Sequence, residues 1–216
     1  MLRAMNASIP SATVARLPRY LRCLADLATV SSQCSSEHIA EGAGVTAAQV
    51  RKDLSFLGTH GTRGVGYDID ELMSQIKGVL GMTKTYRVVI VGAGNLGSAI
   101  TNYKGFETWG FEIVSVVDVD DKKIGTPIDG LTVEAFDSLK SIVAERDIQI
   151  GVIATPTAAA QEVASKLVAA GVRSILNLAP LILKLPDDVN VRRVDLSTEL
   201  GILAYHLSSS ATGDPA

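Results

Sequence analysis

An apolar run, Tyr86-Arg87-Val88-Val89-Ile90-Val91, passes directly into Gly92-Ala93-Gly94-Asn95-Leu96-Gly97. A continuous β-branched run is what a strand buried on both faces of a parallel sheet requires. The G-x-G-x-x-G that ends it has a job for each glycine. Gly92 permits the tight strand-to-helix turn, Gly94 lets backbone approach a pyrophosphate, and Gly97 allows close helix–strand packing. A helix opening near Asn95 would aim free N–H groups and its positive dipole end at phosphates.

The motif does not stand alone. A second strand, Glu112 to Val117, leads into Asp118, 21 residues after Gly97. An acidic residue at that distance accepts hydrogen bonds from the hydroxyls of an adenosine ribose. The carboxylates of Asp118, Asp120 and Asp121 would repel a 2′-phosphate, Lys122 and Lys123 oppose them, and no arginine directly follows Asp118. NAD(H) is therefore expected over NADP(H). The candidate cofactor contacts are Gly92, Ala93, Gly94, Asn95, Leu96, Gly97, Asp118 and Val119, with Tyr103, Thr155, Pro156 and Asn177. Thr155 and Pro156 end the apolar strand Ile148 to Ala154, where ligands sit in open α/β sheets. Tyr103 either meets a nicotinamide ring or is simply a tyrosine at the edge of the core. Further along, a helix from Ala158 to Ala170 stops at Gly171, and strands follow at Ser174 to Leu178 and Val191 to Val194.

A nucleotide fold usually opens with its glycine-motif strand, yet 85 residues precede this one. Residues 1–85 carry a balance of +2 and the remainder −5 within a net charge of −3. Val14 to Val30 reads as a helix with Leu17, Leu21, Leu24 and Leu27 on one face. Ser35 or Ser36 offers a cap for a short helix, Glu37 to Glu41, and Gly42-Ala43-Gly44-Val45 makes a turn. Thr46 is the next cap, with Gln49 completing a capping box, and a helix spans Ala47 to Leu57. This is a helix-turn-helix pattern, with Val50, Leu54 and Leu57 facing in and Gln49, Arg51, Lys52 and Ser55 facing out. Long donors on such a face suit base edges and phosphates. The segment Gly58-Thr59-His60-Gly61-Thr62-Arg63-Gly64-Val65-Gly66-Tyr67 reads as a β wing with an arginine suited to a minor groove. Asp68 then caps a helix, Ile69 to Leu80. The DNA-contact candidates are Thr46, Gln49, Arg51, Lys52, Ser55, His60, Arg63 and Tyr67. A small helical bundle used only for oligomer contacts is the alternative.

The two halves together resemble the Rex family of redox-sensing transcriptional repressors, from Ile9-Pro10 to about Ser208. The motifs that carry the resemblance are Gln49-Val50-Arg51-Lys52-Asp53-Leu54-Ser55, Gly61-Thr62-Arg63-Gly64-Val65-Gly66-Tyr67 and Gly92-Ala93-Gly94-Asn95-Leu96-Gly97. Asn102-Tyr103-Lys104-Gly105-Phe106, Asp118-Val119-Asp120 and Asn177-Leu178-Ala179-Pro180 add to it, with Leu178 where the family often has Phe. The resemblance implies a homodimer that binds double-stranded DNA at an inverted-repeat operator and leaves it when NADH replaces NAD+. It also implies that the terminal segment Asp195 to Ser208, with Leu196, Leu200, Leu203 and Leu207 at helical spacing, inserts between partner domains. Asp195 is then expected to pair in one state only with a cation of the N-terminal half, for which Arg22 is the candidate.

The expected architecture is α/β. A winged helix-turn-helix domain (1–84) precedes a Rossmann-like, doubly wound parallel sheet binding NAD(H) (85–194), and a C-terminal dimerisation helix and tail follow (195–216). No catalytic residue or metal site is expected. The histidines are His38, His60 and His206, and none ends a Rossmann strand where a dehydrogenase needs its proton donor or acceptor. The alternatives are an NAD-dependent oxidoreductase, or a CoA-binding protein with an unrelated N-terminal interaction domain. Against the latter, the CoA 3′-phosphate would meet Asp118. A hydrophobic content of 47% suffices for real cores. The lack of a membrane-length apolar run or signal-like start points to a cytoplasmic protein. Cys23 and Cys34 have no metal-ligand spacing and are expected reduced, with Cys23 a packing residue.

Overall fold

The computed structural model describes residues 9–62 and 64–211, leaving aside the side chains of 209–211. The chain divides into two compact units, Met1–Lys84 and Thr85–Ala216.

In the first unit, α1 (Ser11–Leu27), α2 (Ser36–Ala43), α3 (Ala47–Ser55) and α4 (Ile69–Val79) surround a core that includes Leu17, Tyr20, Leu24, Ile39, Val50, Leu54 and Ile76. Ser35 caps α2 in a full capping box with His38. Gly44 (φ 67°) takes the left-handed turn between α2 and α3, a conformation that costs glycine nothing. Thr46 caps α3 by accepting from the N–H of Gln49. The reciprocal half of the expected box is not made, because the Gln49 amide donates to Asp53 instead (3.0 Å). The wing is less regular than expected. Its base is a two-residue antiparallel pair, β1 (Gln33–Cys34) with β2 (Tyr67–Asp68), and its arm closes at a single bridge, Thr62 to Gly66. Gly66 (φ 98°) lies so close to the carbonyl of Cys34 that a Cβ would collide with it.

The second unit contains a seven-stranded sheet. Its strands are β3 (Tyr86–Val91), β4 (Phe111–Asp118), β5 (Pro127–Ile128), β6 (Leu131–Ala135), β7 (Ile150–Ile153), β8 (Ser174–Asn177) and β9 (Asn190–Arg193). The order is β5-β6-β4-β3-β7-β8-β9, and every pairing is parallel except β5 with β6. With the antiparallel edge removed, this is the doubly wound order of a dinucleotide-binding fold, and the chain reverses direction across the sheet between β3 and β7. α6 (Leu139–Glu145) and α7 (Thr157–Ala169) bury one face of the sheet around Val89, Val91, Ile153, Ala160 and Leu167. The other face carries α5 (Asn95–Thr101) and a 3₁₀ turn (Lys104–Trp109) over Val88, Ile90 and Val116.

That second face is only partly covered. No helix connects β8 to β9, and a groove of about 350 Å³ opens over Ile90, Ile100, Phe106, Val152 and Leu176, with Arg192 at its rim. The last helix, α8 (Leu196–Ala211), leaves Leu196, Leu200, Leu203 and Leu207 exposed. Among the described residues, no helix is long and apolar enough to cross a membrane.

Candidate functional site: a nucleotide cleft and a nucleic-acid face

The cleft lies at the carboxyl ends of β3, β4 and β7. It measures about 490 Å³ and is lined by Gly92, Gly94, Asn95, Leu96, Asp118, Val119, Lys123, Thr155 and Pro156, among others. Gly92 (φ 107°) turns the chain where a Cβ would lie 2.6 Å from the Ala154 carbonyl. A Cβ on Gly97 would run into the Gly92 carbonyl, so only glycine lets α5 settle on the loop. At Gly94 an added Cβ would meet nothing within 4 Å and would instead project into open space beside the loop.

Asp118 forms one wall of the cleft and is 7% exposed. Its Oδ2 accepts from the Ala93 N–H (2.7 Å) and from Lys123 Nζ (3.1 Å), while its Oδ1 accepts from the Asp120 N–H (2.9 Å). Burial pushes this carboxyl up, but the N–H groups of Asp120 and Ala93 and the Lys123 ammonium more than reverse that, leaving it below its ordinary value. Ala93 thus faces Asp118 through its backbone and ties the glycine loop to the end of β4. Across the cleft, Thr155 Oγ1 is buried with no hydrogen-bond partner. The orphaned hydroxyl and the wall carboxylate supply a donor and acceptors, and Gly94 leaves open space beside the loop, an arrangement that fits a dinucleotide.

Two expected contacts lie elsewhere. Asn177 is fully buried; its Nδ2 donates to the Leu181 carbonyl (2.8 Å) and its Oδ1 accepts from the Ala179 N–H (3.0 Å). It shapes the chain after β8 and is not a cleft residue. Tyr103 is 52% exposed, edge-on to Phe106, and does not line the cleft. Neither burial nor partner could be read from the spacing of these residues along the chain.

On the first unit, α3 exposes Arg51, Lys52 and Ser55. The Arg51 guanidinium donates to Ser36 Oγ (2.7 Å) and Glu37 Oε1 (3.1 Å), so the first turn of α2 holds it in place. Ser55 Oγ donates to the Lys52 carbonyl (2.7 Å). Thr46 and His60 are exposed, and a concavity of about 540 Å³ joins Arg51, His60, Thr62 and Val65. Gln49 is half-buried, turned toward Asp53. Tyr67 is buried, its ring packed against Gly61, and it lines the floor of the same concavity. Arg63 lies outside the described residues.

The residue that organises this half is Asp53, which the outward-facing pattern of α3 passed over. It is fully buried and accepts from Thr13 Oγ1 (2.9 Å), Arg16 Nε and Nη2 (2.6 and 2.7 Å), Tyr20 Oη (2.7 Å) and Gln49 Nε2 (3.0 Å). Burial raises its pKa, but the donors, Arg16 foremost, carry it down to about 2. Tyr20 is pushed up to about 12 by burial and by the Asp53 carboxylate. α1 and α3 are therefore clamped through one charge. Arg22 is on α1 in the first unit, and Asp195 precedes α8 in the second, where its Oδ1 accepts from the Ser197 N–H (3.0 Å).

Comparison with known proteins places both halves. The family described as putative DNA-binding protein N-terminus matches residues 8–55, and that described as CoA binding domain matches residues 83–181. A redox-sensing transcriptional repressor Rex of Streptomyces griseus is 52% identical over 98% of this chain and 84% of its own length. That of Carboxydothermus hydrogenoformans is 49% identical over 92% of this chain and 96% of its own. Among solved structures, RSP in complex with β-NAD+ and operator DNA matches with a TM-score of 0.86 at 38% identity, covering 94% of each chain. RSP in complex with β-NADH matches with a TM-score of 0.85 at 37% identity, over 95% of this chain and 97% of that one. The relatives are regulators, not enzymes, and their likeness runs through both the nucleic-acid face and the nucleotide cleft: this chain belongs to the Rex family of redox-sensing transcriptional repressors.

Proposed function

We propose that this chain is an NADH-responsive, DNA-binding transcriptional repressor. It would hold an inverted-repeat operator as a cytoplasmic homodimer and release it when NADH binds. The observation that carries the reading is the co-occurrence, in one chain, of a glycine-loop cleft walled by Asp118 and a helix-turn-helix face bearing Arg51 and Lys52. The family supports the pairing, since a relative of 38% identity is described in complex with both β-NAD+ and operator DNA.

In the cleft, Gly92, Gly94 and the opening turn of α5 would cradle the pyrophosphate, with Gly97 keeping the helix close. Asp118 would accept from the adenosine ribose, and Leu96 and Val119 would flank the adenine. Thr155 and Pro156 would lie toward the nicotinamide end, where the buried Thr155 hydroxyl lacks a partner. NAD(H) supplies a redox signal here, and no bond is made or broken by the protein. On the first unit, Arg51 would read base edges, held in position by Ser36 and Glu37. Lys52, Ser55, Thr46, His60 and Arg63 would engage the backbone and the neighbouring groove. The uncovered groove over Ile90 and Leu176, and the exposed leucines of α8, are the apolar surfaces a second copy would bury. Asp195 and Arg22 are the candidates for a state-dependent pair, which would bias the switch only to the extent that it exists in one state.

Fluorescence anisotropy on a labelled inverted repeat, titrated with NADH and then NAD+ at fixed salt, tests the reading. Release by NADH at concentrations where NAD+ has little effect is expected. DNA binding indifferent to both nucleotides would assign the cleft to another ligand. Failure to bind DNA would overturn the repressor reading.

A further inference from the structure

We infer that Lys123 governs the adenosine end of the cleft, by occupying the acceptor site on Asp118 that an unmodified ribose needs. The inference rests on the dinucleotide reading above and deepens it.

An ionised carboxylate offers about four acceptor positions, two on each oxygen. Oδ2 of Asp118 has both of its positions filled, by the Ala93 N–H at 2.7 Å and by Lys123 Nζ at 3.1 Å. Oδ1 has one filled, by the Asp120 N–H at 2.9 Å. The backbone donors are fixed by the glycine loop and by the turn after β4, so they stay. A ribose presents two adjacent hydroxyls, and gripping both with one carboxylate takes a position on each oxygen. Oδ1 has one to give, whereas Oδ2 has one only if Lys123 withdraws. Lys123 is free to do so. Its side chain is 38% exposed at the cleft mouth, on a flexible four-carbon stem.

The same ammonium has the opposite effect on a ribose that carries a phosphate. There the Asp118 and Asp120 carboxylates repel the ligand, and Lys123 is a cation in the cleft wall able to answer that charge. Lys123 therefore weakens binding of the plain ribose and relieves the penalty on the phosphorylated one. Both effects narrow the preference for NADH over NADPH.

The experiment is titration of the full-length protein with NADH, ADP, NADPH and 2′,5′-ADP, comparing wild type with Lys123→Met, which keeps the length of the stem and removes the charge. NADH and ADP are expected to bind about two- to tenfold tighter to K123M, since one acceptor is released. NADPH and 2′,5′-ADP are expected to bind about tenfold more weakly, since a charge-assisted contact is lost. Lys123→Arg should restore the wild-type ratio, and Lys122→Met, on an exposed neighbour, should leave it unchanged. A K123M protein whose NADH affinity is unchanged or weaker overturns the proposal, and that arm decides alone if NADPH binding is too weak to detect in either protein. A wild-type protein that binds neither NADH nor ADP gives a different answer, because it removes the dinucleotide reading itself. A melting curve for each variant separates altered binding from altered folding.

Discussion

Each half of the molecule is arranged around one carboxylate, and the two are treated in opposite ways. Asp53 is fully buried, and its partners are all side chains: a guanidinium, a phenol, a threonine hydroxyl and an amide. Asp118 sits at the edge of a cleft and takes two of its donors from the backbone of the loop and turn that shape that cleft. Asp53 thus has no capacity left for a ligand, and its saturation fixes the angle of a helix. Asp118 keeps part of its capacity open and holds its third donor on a mobile lysine stem. A buried charge whose acceptor positions are filled by fixed side chains belongs to the scaffold. One whose remaining position faces solvent belongs to a site.

Removing each charge should break the symmetry between them. Asp53→Ala leaves Arg16 facing an apolar gap and strands the Tyr20 hydroxyl, so a loss of about 3 kcal/mol is expected, the low end for a buried pair because Arg16 is 24% exposed. Thermal or urea unfolding measures it, and operator binding should fall along with stability. A protein that melts within a degree of wild type would show that the clamp is not a scaffold element.

The acid limb of stability carries the next effect. Asp53 is depressed from its unfolded value to about 2, so it contributes stability above its unfolded pKa that is lost as pH falls through about 2. The full difference is about 2 kcal/mol. Tyr20 behaves in the opposite sense. Raised to about 12, it contributes stability below its unfolded pKa that is lost as pH rises through about 12. Unfolding followed against pH should show the first unit on a plateau between the two unfolded values, roughly 4 and 10, with loss beginning outside them, and Asp53→Asn should flatten the acid side.

Asn177→Ala should cost about 2 kcal/mol, because the Leu181 carbonyl and the Ala179 N–H both lose a buried partner. NADH affinity should stay within twofold. A large loss of affinity at wild-type stability would return Asn177 to the cleft. The smallest effect sharpens the comparison most. Asp118→Asn should weaken NADH about tenfold while moving the melting temperature less than Asp53→Ala does.

Much of the fold was legible because parallel strands buried on both faces read as unbroken apolar runs, as Val88 to Val91 and Val116 to Val117 do. Caps at Thr46 and Asp68 were legible for a similar reason, since the cap and its acceptor lie within one turn of each other. What escaped was short or non-local. β6 and α6 were not singled out, although Leu139, Ile142 and Val143 have helical spacing. The β5–β6 hairpin turns through Asp129-Gly130, a strong turn pair flanked by strands too short to show alternation. In the site, the meeting of the glycine loop and Asp118 in one cleft was legible because backbone geometry at fixed spacing brings them together. Asp53 was not, because its main partners lie 33 to 40 residues earlier on another helix. Asn177 looks like a binding residue in a motif, and its side chain is taken up by backbone contacts that the motif does not encode.

The division at Lys84 also has a consequence in time. The first unit contains its own core and the Asp53 clamp, and every partner of that clamp lies before residue 54. Chains generally fold domain by domain as they emerge, N-terminal part first. The face bearing Arg51 is therefore assembled while the sheet that would silence it is still being synthesised. A nascent chain of this kind would present that face before it has either the nucleotide cleft or the apolar surfaces of the second unit.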